Sequence, residues 1–147
     1  MDIRDLLKAD HQAALEPACV MAESAVGDSA KRAHERLRAA LTARSRAEQA
    51  VVYSASKRLD HDKAVGTADE GDVEHGLCDQ LLAEMARGKP EGLIWKAKAK
   101  VVTELLDQHI EEEHAEMLPL LGKHFSAQQR KDMGLHFKAR KGEPAMA

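Results

Sequence analysis

Aromatic residues make up only 3% of this sequence, with one Trp, one Tyr and two Phe in 147 residues. Its two cysteines, Cys19 and Cys78, are too few for a disulfide framework. Both stand among apolar helical residues, so buried free thiols in a reducing cytoplasm are expected. There is no basic excess: Lys and Arg number 22 against 25 Asp and Glu, for a net charge of -3. Such a chain has little with which to neutralise phosphates, and nucleic acid is not an expected partner. No apolar run approaches the ~20 residues of a membrane span. The opening MDIRDLLKAD is charged where a signal peptide carries an apolar block. The expected protein is cytoplasmic, with no membrane partner, and a monomer or weak homo-oligomer. Strand patterns, solenoid repeats and low-complexity tracts are also missing.

What remains is 44% apolar and 32% charged. Ala and Leu dominate, with Glu, Lys and Arg between them, which is the composition of packed helices. The length suits one domain over 1–140 and a flexible tail over 141–147. A first helix is expected from Ile3 to Ser24, with Ile3, Leu7, His11, Ala14, Ala18 and Met21 on one face. Pro17 inside it should kink it or remove a hydrogen bond. Gly27-Asp28-Ser29 breaks the chain, and a second helix follows from Ser29 to Leu59. Its stripe is Leu37, Leu41, Arg44, Glu48, Val52, Ala55 and Leu59.

The stretch Asp60 to Gly71 reads as a polar loop with Gly66 and Gly71 as breakers. A third helix is expected over Asp72 to Arg87, with His75, Cys78, Leu82 and Met85 in line, ended by Gly88-Lys89-Pro90. A fourth runs from Gly92 to Leu118, with Val102, Leu106, His109, Glu113, Met117 or Glu116, and Leu120 on its face. It should fray near Pro119. Ser126 to Gln129 resembles a capping box opening a short fifth helix to Arg140. Together these predict an all-α fold, an antiparallel up-down four-helix bundle with a short C-terminal fifth helix.

The stripes carry polar residues at matching depth. In an up-down bundle His11, Glu48, His75, His109 and Glu113 should meet at one level, near one end. His109 and Glu113 are four apart, about 40° around the helix and one turn along. Imidazole and carboxylate then reach one point in the core, a donor set that suits iron or zinc. Unpaired burial would cost several kcal/mol per group, so something must compensate them. Glu111, Glu112 and Glu116 read as solvated face, and His34, His61, His124 and His136 as surface or boundary. His114 lies about 140° round from His109 and should point away.

Four segments in order carry a resemblance. DLLKADHQ, RAEQAVVYSA, VEHGLCDQLLAEM and HIEEEHAEMLPLL resemble the helix motifs of the hemerythrin-like HHE cation-binding domains, over residues 2 to 138. The resemblance implies a non-haem di-iron centre with His11, Glu48, His75, His109 and Glu113 as metal ligands. Glu48 and Glu113 would bridge two irons, with His75 and His109 on one and His11 on the other. Such centres bind or sense dioxygen, handle iron, or react with peroxide or nitric oxide. Enzyme status stays open.

The sequence departs from the pattern at Arg44, where the family carries a histidine. Arginine stays protonated and has no lone pair to give, so it is no ligand. It could snorkel outward, pair with Glu48 in place of a metal's charge, or hydrogen-bond an anion or oxidised ligand. The second role would leave a mononuclear or metal-free helical bundle serving interaction or regulation. Asp79, four after His75, is either a further carboxylate ligand or a surface residue. Tyr53 either meets the site or packs with a wet hydroxyl.

Overall fold

The computed structural model describes residues 1–23 and 27–142. Among them every regular element is a helix, with no strand. Helix α1 is Ile3–Glu23. Helix α2 covers 28–57 and consists of Asp28–Glu48, a wide π-helical turn at Gln49–Tyr53, and Ser54–Lys57. Helix α3 is Asp62–Ala86. Helix α4 covers 93–124, as Leu93–Glu112, a second π-helical turn at Glu113–Met117, and Leu118–His124. Helix α5 is Ala127–Lys141. The expected end of the first helix at Ser24 and the tail from residue 143 lie outside the described residues.

The pairings are antiparallel around a ring. Thr103 of α4 bonds to Ala18 of α1, and His114 to His11. His34 of α2 meets Leu82 of α3, and Lys57 meets Asp72. Glu84 pairs with Lys98, and Glu74 with His109. The up-down bundle is therefore as the spacing predicts. Helix α5 packs across α1 and α2, where Met133 and Phe137 are buried. Its capping box is formed: Gln129 N donates to Ser126 Oγ, and Ser126 N donates to Gln129 Oε1.

The expected loop from Asp60 to Gly71 is instead the first part of α3 from Asp62 onward. The His61 side chain accepts from Ala64 N and caps that helix. Ala64, Ala68, Gly71, His75, Cys78 and Leu82 form one continuous buried stripe, so packing overrides two glycines' cost of about 1 kcal/mol each. Gly71 has a packing reason: a Cβ there would lie 2.5 Å from Tyr53 Cζ. Helix α4 also runs on through Pro119 to His124. Pro119 follows the π-helical turn, and the widened turn accommodates a ring that a regular helix interior rejects.

The wide turn in α2 changes the register of its stripe. Val51, Val52 and Tyr53 are all buried in succession, and Ser56 follows them inward instead of Ala55 and Leu59. Cys19 is exposed, one position off the Ala18–Met21 line, while Cys78 is buried. His34 is buried too, with Nε2 2.9 Å from the Leu82 carbonyl and its ring beside Trp95.

The apolar core falls into two clusters. One gathers Ala14, Met21, Leu37, Leu82, Trp95 and Leu106; the other gathers Ile3, Leu7, Val52, Tyr53, Met117 and Phe137. A layer of buried polar side chains separates them. The layer is thus interior to the bundle, not near one end, because α3 starts earlier and α4 ends later than the breakers suggest, and α5 covers α1 and α2.

Candidate metal centre

His11, Glu48, His75, His109 and Glu113 meet in that layer, each no more than 5% exposed. Glu48 Oε1 lies 3.0 Å from His75 Nε2 and 3.8 Å from His109 Nε2. Glu113 Oε2 lies 2.8 Å from His109 Nε2, and Oε1 lies 3.3 Å from His11 Nε2. Each carboxylate therefore spans neighbours on different helices. Among the described residues two groups could hold a metal ion, Glu48–His75–His109 and His11–Glu48–Glu113, with ligand atoms within 4.8 Å of one another in each. They share Glu48.

The donor set fits a cation by a direct test. His11 Nε2, Glu48 Oε2 and Glu113 Oε1 are all buried without a hydrogen-bond partner. The 3.3 Å approach of His11 to Glu113 is close but not aligned as a hydrogen bond. Three lone-pair-bearing atoms directed at one place, unsatisfied, form an arrangement that proteins tolerate when an ion or water completes it.

Neighbouring groups tune the layer. Burial by itself would raise the Glu48 carboxyl, but contacts with Glu113, His109 and His75 hold it well below the usual carboxylate range. Burial pulls the His109 imidazole down, yet Glu113, Glu48 and Glu74 push it up to about 12. These are the balances of the metal-free layer, where a proton on His109 stands in for a cation. Tyr53 donates its hydroxyl to Glu48 Oε1 at 3.0 Å and reaches Glu113 Oε2 at 3.4 Å. Burial and then those two carboxylates raise its pKa, so it stays a donor.

Both π-helical turns start at a central carboxylate: Glu48 directly precedes the turn at Gln49–Tyr53, and Glu113 is the first residue of the other. The Ser54 N–H bonds to the Gln49 carbonyl and the Leu118 N–H to that of Glu113, five residues back in each case. Such turns recur at functional sites, where they re-aim side chains. In α2 the wide turn brings Tyr53 back over Glu48.

Two contacts were missed in the sequence. Glu74 Oε1 accepts from His109 Nδ1 at 2.8 Å, which orients the ring so that Nε2 faces the centre. Its position next to His75 was the available signal. His114, expected to point away, is exposed but turns its Nε2 to within 2.9 Å of His11 Nδ1. The widened turn at Glu113 and the close approach of α1 let the ring reach across. Of the glutamates read as solvated face, Glu111 is exposed. Glu112 and Glu116 are half-buried along a small cavity beside Tyr53, His109 and Glu113.

Asp79 is exposed and belongs to neither ligand group. Arg44 is 3% exposed, so it does not snorkel. Among the described residues no ion pair joins it to Glu48, whose close cationic partners are His75 and His109. Its Nε and Nη1 are buried without a partner. Of the three roles left open for Arg44, the packing forms neither outward snorkelling nor, among the described residues, an ion pair with Glu48.

No helix among the described residues is long and apolar enough to cross a membrane. No curated protein and no solved structure matches the chain. The family model for the hemerythrin HHE cation binding domain matches residues 2–121. With that match over most of its length, and two His/Glu groups able to hold metal inside a helical bundle, the chain belongs to the hemerythrin HHE cation-binding domain family.

Proposed function

We propose that this is a non-haem iron protein in which His11, Glu48, His75, His109 and Glu113 hold two carboxylate-bridged irons. Its role is to bind or sense dioxygen, or to respond to oxidative or nitrosative stress. The observation that carries this reading is the trio of orphaned atoms, His11 Nε2, Glu48 Oε2 and Glu113 Oε1. Imidazole with carboxylate favours iron over magnesium or calcium.

Bound iron would supply open coordination for a small ligand such as dioxygen, peroxide or nitric oxide. The protein's own residues do the rest. Glu74 orients His109, and His114 holds the outer nitrogen of His11. The Tyr53 hydroxyl steadies both carboxylates. The apolar clusters on either side keep bulk water out. Because Arg44 gives no ligand, His11, Glu48 and Glu113 would be the residues to hold a metal on that side, with room for an exogenous ligand.

The test is metal content per chain with the visible spectrum, on protein from iron-supplied cells. Two irons per chain with an absorption band from bridged ferric iron are expected. Metal-free protein under those conditions, with no uptake of added ferrous iron, refutes the reading.

A further inference from the structure

Arg44 is a buried cation that the proposed metal ligands leave unused. It lines a small cavity with Ser45, Glu74, His75, Cys78 and Asp79, on the outer side of His75. The cavity leaves about 10 Å³ for the centre of a water-sized species, which is room for one. Three nitrogens of the lining residues lack any partner: Arg44 Nε, Arg44 Nη1 and His75 Nδ1.

The chemistry of these nitrogens is of one kind. A guanidinium has only donors and does not deprotonate. His75 Nε2 faces Glu48, so with a metal on Nε2 the proton resides on Nδ1, which makes that atom a donor as well. The wall's acceptors are the carboxylates of Glu74, whose Oε1 is engaged by His109, and of Asp79, which is exposed. A buried charge without a counter-ion is costly. Glu74 and Asp79 bring negative charge to the same wall, but among the described residues neither bonds to Arg44, and its Nε and Nη1 still lack an acceptor.

We propose that a single monatomic anion of chloride size occupies the cavity between Arg44 and His75 Nδ1 when the centre is filled. The proposal rests on the iron reading above. It gives the departure at Arg44 a use: the residue that cannot bind metal supplies the positive pocket for a halide that orients His75 and offsets the added charge. The size of the cavity excludes sulfate and phosphate.

The test is a crystal structure of the iron-loaded protein with bromide replacing chloride. Anomalous scattering counts iron and bromide in the same crystal. A bromide peak within hydrogen-bond distance of the Arg44 guanidinium and His75 Nδ1 is expected, and it should vanish in Arg44→Met while iron remains. Irons present with only a water in the cavity overturn the proposal, as does a bromide peak that survives in Arg44→Met. A crystal without iron overturns the function reading, and the anion falls with it. Should Arg44→Met not fold, the wild-type protein decides alone. Bromide should raise the melting temperature of the iron-loaded form more than sulfate at equal ionic strength, and equal shifts overturn the proposal.

Discussion

The two halves of the buried polar layer meet the same problem differently. Around His75 and His109 the inward-facing atoms satisfy one another: Glu48 Oε1, Glu113 Oε2 and Glu74 Oε1 all face imidazole nitrogens at 2.8 to 3.0 Å, and only the outer His75 Nδ1 is left over. Around His11 they do not, and three buried atoms have no partner. The difference teaches what each half can do without metal. The first is a folded ion-pair network that a proton holds together. The second is a set of lone pairs that only a cation or water can complete.

The largest expected effect tests this asymmetry in metal-free protein. His109→Ala strips the cationic partner from three carboxylates and should cost about 3–5 kcal/mol, as breaking a buried pair does. His11→Ala should cost clearly less, because His11 meets one carboxylate, at 3.3 Å and not aligned as a hydrogen bond, where His109 meets three. Chemical denaturation of both variants without metal measures the two costs, and equal values would erase the contrast.

Gly71→Ala comes next. A Cβ at Gly71 collides with the Tyr53 phenol, so the ring must leave Glu48 or α2 must shift. A loss of about 1–3 kcal/mol is expected, read by thermal melts. A companion Tyr53→Phe should abolish most of the additional effect of Gly71→Ala on metal binding, though not the steric part. Glu74→Ala frees the outer nitrogen of His109 and should weaken metal binding roughly 10–100-fold, with much less effect on the overall fold. Equilibrium competition with a chelator measures it, and unchanged affinity would show that Glu74 is not what orients His109.

The smallest effect lies away from the layer. Burial would raise Asp2, but hydrogen bonds from Arg4 and Arg130 hold its carboxyl well below its ordinary 3.8. A depressed folded pKa contributes stability that is present above the ordinary value and lost as pH falls below it. Asp2 ties the N-terminus to α5 through Arg130 Nε at 2.9 Å. Asp2→Asn should therefore lower stability by at most about 1 kcal/mol at pH 7, as for pairs near the surface. It should also flatten the loss of stability between pH 4 and 2, which acid titration of the melting temperature checks.

Much of the fold and of the candidate centre was legible because it is written in local spacing. The 3–4 periodicity of Ile3, Leu7 and His11, or of Leu106, His109 and Glu113, marks a helix face whatever it later packs against. The Ser126–Gln129 capping box is likewise local, and it formed. Aligning the polar positions of four antiparallel helices was enough to bring five side chains together. The expected loop at 60–71 failed for the opposite reason. Gly66 and Gly71 are breakers by propensity, but Tyr53 requires a missing side chain at Gly71, and Tyr53 comes from a different helix.

The sequence by itself determined the helices, their order and the donor types, since these depend on neighbours within a turn or two. Only the tertiary structure decided which donors are satisfied, which helix turns widen, that Glu74 and His114 contact the His109 and His11 rings, and that Arg44 turns inward. Those outcomes depend on residues far apart in the chain competing for the same few cubic ångströms and the same few hydrogen bonds. Spacing along one helix carries no record of that competition.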